Sequence, residues 1–127
     1  MKLLIVNADD FGYSSGINNG IMDAYHNGIL TSATIMANMP GFNQAIEMAK
    51  ANPGLGVGVH LVLTCASPLL KNKKSISTET GEFKNISFYE GDYRIDPDEV
   101  YQEWHAQIQK VIDAGIQPDH IDSHHFV

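Results

Sequence analysis

The chain has little positive charge and no long apolar run, and each of these shortages excludes a class of partner. It carries 8 Lys and Arg against 15 Asp and Glu, a formal net charge of -7. Phosphate binding needs a dense positive surface, so we expect no nucleic-acid partner. No apolar stretch approaches the roughly 20 residues that cross a bilayer, and no signal-like segment opens the chain. We therefore expect a cytoplasmic protein without a membrane partner.

Cysteine is also scarce. Cys65 is the single cysteine, so an internal disulfide is excluded, which fits a reducing compartment. It follows His60 by five residues, and we predict a small buried apolar residue there rather than a metal ligand.

Apolar runs and helical spacings alternate along the 127 residues. Continuous apolar runs are typical of strands buried in parallel sheets. We predict strands over residues 3–6, 31–36, 55–61 and 119–127, with three helices between them. The order βαβαβ-loop-αβ predicts an α/β fold in which helices cover a mostly parallel sheet.

The helices have recognisable ends and apolar stripes. Ser14 or Ser15 can cap the first helix, and Gly28 can end it in the left-handed conformation. In the third helix, Asp96 is the predicted N-cap and Pro97 the first residue, and Gly115 ends it. The predicted buried stripes are Ile17, Ile21, Ala24 and Tyr25 in the first helix, Phe42, Ala45, Ile46 and Ala49 in the second, and Val100, Trp104, Ile108, Val111 and Ile112 in the third.

Two stretches do not fit a closed domain. Residues 64–95 lose all periodicity, and such a long excursion, with one short hairpin at most, is typical of a binding loop or lid. The last strand has no helix after it, so its apolar surface and bare edge would be exposed. We expect the first half of a larger barrel-like fold, or completion by a partner chain such as a second copy.

Acids and imidazoles follow or interrupt three predicted strands: Asp9 and Asp10, His60, and His124 with His125. Carboxyl ends of parallel strands meet at one edge of a sheet, so these side chains should converge. Asp9 and Asp10 should point in different directions, one to bind a cation and one to stay ionised as a base. The alternative is a polar turn.

Period-two alternation in the last strand places Asp122, His124 and Phe126 on one face and His125 on the other. One Asp and two His suit a divalent cation; zinc fits imidazole best, whereas magnesium prefers oxygen. The alternative for His60 is a core histidine bonded to backbone. His26 and His105 are expected on helix surfaces, and His120 is expected to be solvated.

Four separated motifs stand out along the chain: Asn7-Ala8-Asp9-Asp10-Phe11-Gly12, Thr31-Ser32-Ala33-Thr34, residues 58–64 and residues 120–125. Together they resemble the YdjC-like carbohydrate deacetylases, which include the diacetylchitobiose deacetylases. The resemblance implies a (β/α) barrel-like fold akin to the polysaccharide deacetylases, of which residues 1–127 would be the amino-terminal half of a single domain. It also implies a divalent metal ion, Mg²⁺ or Zn²⁺, held by Asp10, His60 and His124, with Asp9 as catalytic base.

The function implied is removal of the N-acetyl group from N-acetylglucosamine units of short chito-oligosaccharides. Tyr13, Phe83, Phe88, Tyr89 and Trp104 are aromatic side chains available for stacking on sugar rings, although core packing fits Trp104 better. Two alternatives use the same residues: a metal-dependent hydrolase of another amide or a phosphoester, and a non-catalytic sugar- or metal-binding module.

Overall fold

A computed structural model describes residues 1–126, and within that range the chain forms a parallel sheet of four strands with three α-helices. The strands are β1 (Asn7–Phe11), β2 (Ser32–Ile35), β3 (Gly56–Leu61) and β4 (Ile121–Ser123). The helices are α1 (Ser15–Asn27), α2 (Phe42–Ala51) and α3 (Pro97–Asp113), and short 3₁₀ helices cover Ile86–Glu90 and His124–Phe126.

The strands lie in chain order, β1-β2-β3-β4, and each neighbouring pair is parallel. Helices connect β1 to β2 and β2 to β3, and the long excursion followed by α3 connects β3 to β4. The predicted α/β fold and its element order are confirmed. Sequential parallel strands with covering helices are the arrangement from which (β/α) barrels are built.

The two sides of this sheet differ in chemistry. The helix side is apolar and packs with α1, α2 and the end of α3; its members are Ala33, Ile35, Val57, Val59 and Leu61. The predicted α2 stripe of Phe42, Ala45, Ile46 and Ala49 is buried throughout, which confirms it. The polar side is linked by hydrogen bonds rather than by apolar contact; its members are Asn7, Asp9, Ser32, Thr34, His60 and Asp122.

The first strand begins later than predicted. Residues 3–6 are not in the strand, and Leu3, Leu4 and Ile5 are 83%, 75% and 78% exposed. The ladder between β1 and β2 starts with Asn7 opposite Ser32, because β2 itself begins at Ser32. The Val6 carbonyl still accepts from the backbone N–H groups of Thr31 and Ser32, but residues 3–5 lie before the start of β2, and their apolar character alone did not make them a strand.

A β-bulge changes the direction of the two acids in β1. Ala8 pairs with Ala33 and Phe11 with Ile35, so two residues of β1 stand opposite one residue of β2. The extra residue is accommodated by Asp10, whose φ is +64°. Asp9 contacts polar-side Asn7, and Asp10 lies beside polar-side His60. The prediction that the two acids diverge is wrong, because the bulge brings both to the polar side.

Helix α1 begins as predicted, with the Ser14 hydroxyl accepting from the Ile17 backbone N–H at 3.3 Å. Its end differs, since Gly28 has φ -123° and is not left-handed. Its buried stripe is also rotated: Ile17 is 42% exposed and Ala24 is exposed, whereas Asn18 is fully buried. Asn18 turns inward because its amide accepts from the Gly12 N–H at 2.7 Å and donates to the Gly41 carbonyl at 3.0 Å.

Helix α3 buries polar side chains that apolar periodicity could not reveal. The Asp96 cap accepts from the Asp98 N–H at 2.9 Å, and Gly115, with φ +91°, follows the helix end, as predicted. Glu103 and Gln107 are fully buried, whereas Ile112 of the predicted stripe is 39% exposed. Trp104 and Ile108 are half-buried, and Val100 and Val111 are buried.

The long excursion over residues 64–95 is confirmed, and polar groups of α3 hold its first part in place. The Glu103 carboxylate accepts from the backbone N–H groups of Leu69 and Leu70 at 2.8 and 2.9 Å. Ser77 and Phe83 form an isolated antiparallel bridge, which confirms the short hairpin. Ile76 and Phe83 enter a second buried cluster with residues such as Met36 and Val62.

The last strand is shorter than predicted. β4 ends at Ser123, and the chain then turns through His124–Phe126, where His125 has φ +59°. This left-handed residue takes the chain out of the strand, so the predicted alternation beyond Ser123 is wrong, and Phe126 is 98% exposed. Val127, which the predicted strand included, lies outside the described residues.

Candidate metal centre

Three side chains from three separate parts of the chain meet on the polar side of the sheet. Asp10 comes from the bulge in β1, His60 from β3, and His124 from the turn after β4. His60 Nε2 lies 3.4 Å from Asp10 Oδ1 and 3.3 Å from His124 Nδ1, and His124 Nδ1 lies 3.0 Å from Asp10 Oδ1. The structure therefore brings the three predicted ligands together.

The size of this triangle fits a small cation. With metal–ligand bonds of about 2.1 Å, neighbouring ligand atoms lie about 3.0 Å apart in octahedral geometry and about 3.4 Å apart in tetrahedral geometry. The three observed separations, 3.0, 3.3 and 3.4 Å, span that range. Asp10 Oδ1 is buried and has no hydrogen-bond partner among residues 1–126, as expected of an oxygen that faces a cation.

Hydrogen bonds on the far side of His60 set its orientation. His60 is 2% exposed, and its Nδ1 lies 2.6 Å from Asp122 Oδ1. Since a carboxylate can only accept, Nδ1 carries the proton and the Nε2 lone pair points to the triangle. The Thr34 hydroxyl donates to Asp122 Oδ2 at 3.0 Å and holds this carboxylate in turn.

A second group, Asp9, His60 and Asp122, also brings possible ligand atoms close together. Its 2.6 Å separation between His60 Nδ1 and Asp122 Oδ1 is a strong hydrogen bond and is shorter than the edge of a metal coordination shell. We therefore assign Asp122 to the support of His60. The sequence offered one signal for this role, because Asp122 lies two residues before His124 and the two side chains were expected to share a site.

Burial favours the form of His124 that can bind a cation. Burial lowers the pKa of His124 below its ordinary value, the charge of Asp10 opposes this, and His125 and His60 add to the lowering. The net direction is downward, so the neutral imidazole is favoured. A neutral imidazole has the lone pair that a metal ion requires.

Asp9, the predicted base, lies beside this triangle rather than in it. A carboxylate oxygen of Asp9 is within 4.8 Å of ligand atoms of His60 and Asp122. The residue is exposed, and Asp9 Oδ1 accepts a 2.9 Å hydrogen bond from Asn7 Nδ2. An exposed carboxylate next to a candidate cation site can reach a water molecule there.

Cys65 and the remaining histidines considered in the sequence analysis lie outside the triangle. Cys65 is half-buried, and burial together with the charge of Asp10 raises the pKa of its thiol, which disfavours the thiolate a metal would need. His26 and His105 are exposed on helices, as predicted. The half-buried His120 was expected to be solvated, but its Nε2 lies 3.2 Å from Ser32 Oγ. His125 contacts the Thr64 hydroxyl at 3.0 Å rather than the helix layer.

The fold and this triangle together define an α/β protein with a four-stranded parallel sheet and a candidate divalent-metal centre of one carboxylate and two imidazoles. The sequence model of the family described as YdjC-like protein matches residues 3–127. The chain belongs to this family. Among residues 1–126, none of the helices has the length and apolar character needed to cross a membrane.

Curated relatives and a solved structure agree with this assignment. The chain is 48% identical over 126 residues to a carbohydrate deacetylase of Brevibacillus brevis, covering 98% of this chain and 49% of the relative. It is 47% identical over 131 residues to a carbohydrate deacetylase of Geobacillus stearothermophilus, covering 99% and 50%. The chain thus spans about half the length of the curated relatives it matches.

The solved structure is a protein of Enterococcus faecalis V583 named for a proposed role in cellobiose-phosphate cleavage. It superposes with a TM-score of 0.90 at 42% sequence identity and covers 97% of this chain and 48% of the other. The family model and the curated deacetylases confirm the resemblance inferred from the sequence motifs, and the match to the solved structure confirms the α/β architecture.

Proposed function

We propose that this chain provides the metal centre and the catalytic base of a carbohydrate deacetylase that removes the acetyl group from N-acetylglucosamine units of short chito-oligosaccharides. The observation that carries the proposal is the triangle of Asp10, His60 and His124 with Asp9 beside it. The names of the carbohydrate deacetylases to which the chain is similar support deacetylation of a carbohydrate. In this proposal residues 1–127 are the amino-terminal half of the deacetylase domain.

The roles follow from the surroundings of each side chain. Asp10, His60 and His124 would hold a divalent cation, Zn²⁺ or Mg²⁺, and two imidazoles among three ligands favour zinc. When bound, such an ion acidifies water and stabilises negative charge on a carbonyl oxygen. Asp9 takes a proton from the attacking water. The reaction forms a C–O bond, breaks the C–N bond of the acetamide, and returns a proton to the departing amine.

Exposed aromatic surface near the site suits a sugar ring. Tyr13 is 42% exposed, and its backbone N–H donates to the Asp10 carbonyl at 3.0 Å. Phe83 is buried and Trp104 is half-buried, so both serve the core. Phe88 and Tyr89 are half-buried and pack edge to face with ring centres 5.0 Å apart. Of the five aromatic residues named from the sequence, Tyr13 is the exposed one, and it is close to Asp10 along the chain, so we propose it for contact with a sugar ring.

The name of the Enterococcus faecalis protein favours a second candidate, a hydrolase acting on a phosphorylated β-linked disaccharide. The same metal and base would serve attack on a phosphoester. The two candidates differ in the released product, because one yields acetate and the other yields inorganic phosphate.

The deciding experiment uses the longest natural polypeptide that contains these 127 residues, purified without chelator. Elemental analysis should find a divalent metal at about one ion per chain. Incubation with diacetylchitobiose should release acetate, and incubation with cellobiose phosphate should release no phosphate. Phosphate without acetate would establish the second candidate, and stoichiometric metal with neither product would indicate a binding module.

Asp9→Asn tests the base directly. A positioned general base contributes about 10²- to 10⁴-fold to rate, so kcat for acetate release should fall by that factor while the metal content stays unchanged. Asp23→Asn is the matched control, because Asp23 is an exposed carboxylate on α1 that also accepts from an asparagine, Asn27, at 2.8 Å. Retention of full activity in Asp9→Asn would refute the assignment of the base.

A further inference from the structure

Asn7 lies between the proposed base and the beginning of β2, and both ends of its amide are hydrogen-bonded. Its Nδ2 donates to Asp9 Oδ1 at 2.9 Å, and its Oδ1 accepts from the Ser32 hydroxyl at 2.7 Å. Among residues 1–126, Asn7 supplies the one side-chain hydrogen bond to Asp9. Within this range, the Asn7 side-chain amide is therefore the side-chain group that restrains the Asp9 carboxylate directly.

The surroundings of Asn7 determine which end of the amide faces Asp9. Ser32 donates to the carbonyl end of the amide, and the Asp9 carboxylate accepts from the other end. Reversing the amide would turn its carbonyl oxygen toward the Asp9 carboxylate, and two acceptors would then meet.

Asp9 has particular need of such support. Its side chain is exposed among residues 1–126, and the β-bulge at Asp10 immediately follows it. A free carboxylate rotates about its terminal bond, and proton abstraction requires one oxygen within hydrogen-bonding distance of the water. A hydrogen bond to Oδ1 fixes the rotation and leaves Oδ2 available.

We propose that Asn7 is a positioning residue that orients the Asp9 carboxylate, and that the Ser32 hydroxyl holds the other end of the Asn7 amide in place. This inference rests on the proposed function, since it assigns Asn7 a part in the same reaction. Asn7 touches neither the candidate cation ligands nor the reacting atoms. It acts through Asp9.

Two substitutions of Asn7 separate positioning from packing. Asn7→Asp has nearly the same shape and still accepts from Ser32, but it presents an oxygen instead of an N–H to Asp9. Asn7→Ala removes the whole amide. Loss of a supporting hydrogen bond typically costs about 10- to 100-fold in activity. We expect kcat for acetate release to fall by that factor in both variants, and at least as far in Asn7→Asp, with KM and metal content unchanged.

The matched control is Asn27→Asp, because Asn27 Nδ2 donates to Asp23 Oδ1 at 2.8 Å on the exposed surface of α1. This control makes the same chemical change in the same kind of contact, and its kcat should equal that of the wild-type protein. A packing role for Asn7 makes the opposite prediction: Asn7→Asp would be milder than Asn7→Ala, and the loss would follow the melting temperature. That result would overturn the inference.

A second measurement does not depend on turnover. In a ¹H–¹⁵N spectrum, the side-chain amide signals of Asn7 should shift on Asp9→Ala far more than those of Asn27, because one amide proton loses its carboxylate acceptor. Unchanged Asn7 signals would overturn the contact itself. A wild-type protein that releases no acetate, yet shows the shift, would refute the proposed function and leave the contact between Asn7 and Asp9 established.

Discussion

The two sides of one four-stranded sheet perform different work in this protein. On the helix side, Ile35 and Val59 are fully buried against apolar side chains of α1, α2 and α3. On the polar side, Thr34 and His60 are also almost fully buried, but each is tied to Asp122 by hydrogen bonds. The degree of burial therefore does not distinguish the two sides of the sheet. The helix side stabilises the fold by excluding water from apolar side chains, and the polar side holds polar side chains in fixed orientations by hydrogen bonds.

This difference shows how alternation along a strand can serve two purposes at once. In β3, Val57, Val59 and Leu61 contribute to the core, and His60 between them contributes a candidate ligand. Because neighbouring strand residues point to opposite sides, a change on one side should leave the other side nearly intact. The following predictions test that independence, beginning with the largest effect.

His124→Ala should have the largest effect and should be confined to the polar side. It removes one corner of the triangle, so metal should be lost and activity should fall by more than the roughly 100-fold typical of residues that merely support a ligand. The free energy of unfolding of the metal-free protein should change little. Titration calorimetry with Zn²⁺ and Mg²⁺ measures the affinity, and His105→Ala, an exposed histidine on α3, is the control. Unchanged metal affinity would remove His124 from the site.

Asp122→Asn should weaken the metal site without dismantling it. The substitution keeps the shape but replaces the charged acceptor of the His60 Nδ1 proton, and support residues of this kind contribute about 10- to 100-fold to metal affinity. Asp113→Asn, which changes an exposed carboxylate bonded to Gln109, is the control. If metal affinity were abolished entirely, Asp122 would be a ligand rather than the support of His60.

Ile35→Val tests the helix side of the sheet. Removing one methylene group from this fully buried side chain should lower the free energy of unfolding by about 0.5–1.5 kcal/mol, measured by urea denaturation. The metal dissociation constant of the folded protein should stay within about twofold, since core packing and ligand geometry lie on opposite sides. The control is Ile112→Val, because Ile112 is 39% exposed. A large loss of metal affinity would show that the two sides are coupled.

Glu99→Gln should have the smallest effect, because it touches neither side of the sheet. Burial raises the pKa of Glu99, but hydrogen bonds from Ser75 outweigh burial and lower the pKa below its usual value. The bonded carboxylate therefore stabilises the loop above the usual carboxyl pKa, and this contribution is lost as pH falls through the lowered value.

Hydrogen exchange at the Ser75 amide measures this effect, because that N–H donates to Glu99 at 2.8 Å. The protection factor should fall in acid for the wild-type protein and should be low and independent of pH in Glu99→Gln. Glu47→Gln, an exposed position on α2, should behave as wild type. Metal affinity should not change in either variant.

Much of the fold could be predicted because it depends on local patterns. The buried stripe of α2 and the Asp96 cap of α3 each follow from side chains close together in sequence. Where the prediction failed, distant groups decided the outcome. Asn18 is buried because backbone groups of Gly12 and Gly41 need its amide, and Glu103 is buried because the loop needs its carboxylate. The spacing of apolar residues does not indicate hydrogen-bonding partners that lie far away in the sequence.

The site was predictable in its members but not in its geometry. Motif resemblance supplied Asp10, His60 and His124, and the structure brings them together. The order of the strands also supported their convergence, because β3 and β4 are neighbours. The register shift in β1 was not predictable, since it depends on how β1 and β2 pair. The supporting position of Asn7 depends on that same pairing.

The left-handed backbone at Asp10 restricts that position in two ways at once. Its φ of +64° is a conformation that aspartate, asparagine and glycine adopt far more readily than other residues, for which it costs about 1–2 kcal/mol. Of these three, aspartate alone also provides a carboxylate. Glutamate also provides a carboxylate oxygen, but it disfavours the left-handed backbone conformation. A substitution that keeps the negative charge at position 10 is therefore still expected to destabilise the protein. An engineer who wishes to retune the cation preference has more freedom at the two histidines than at this acid.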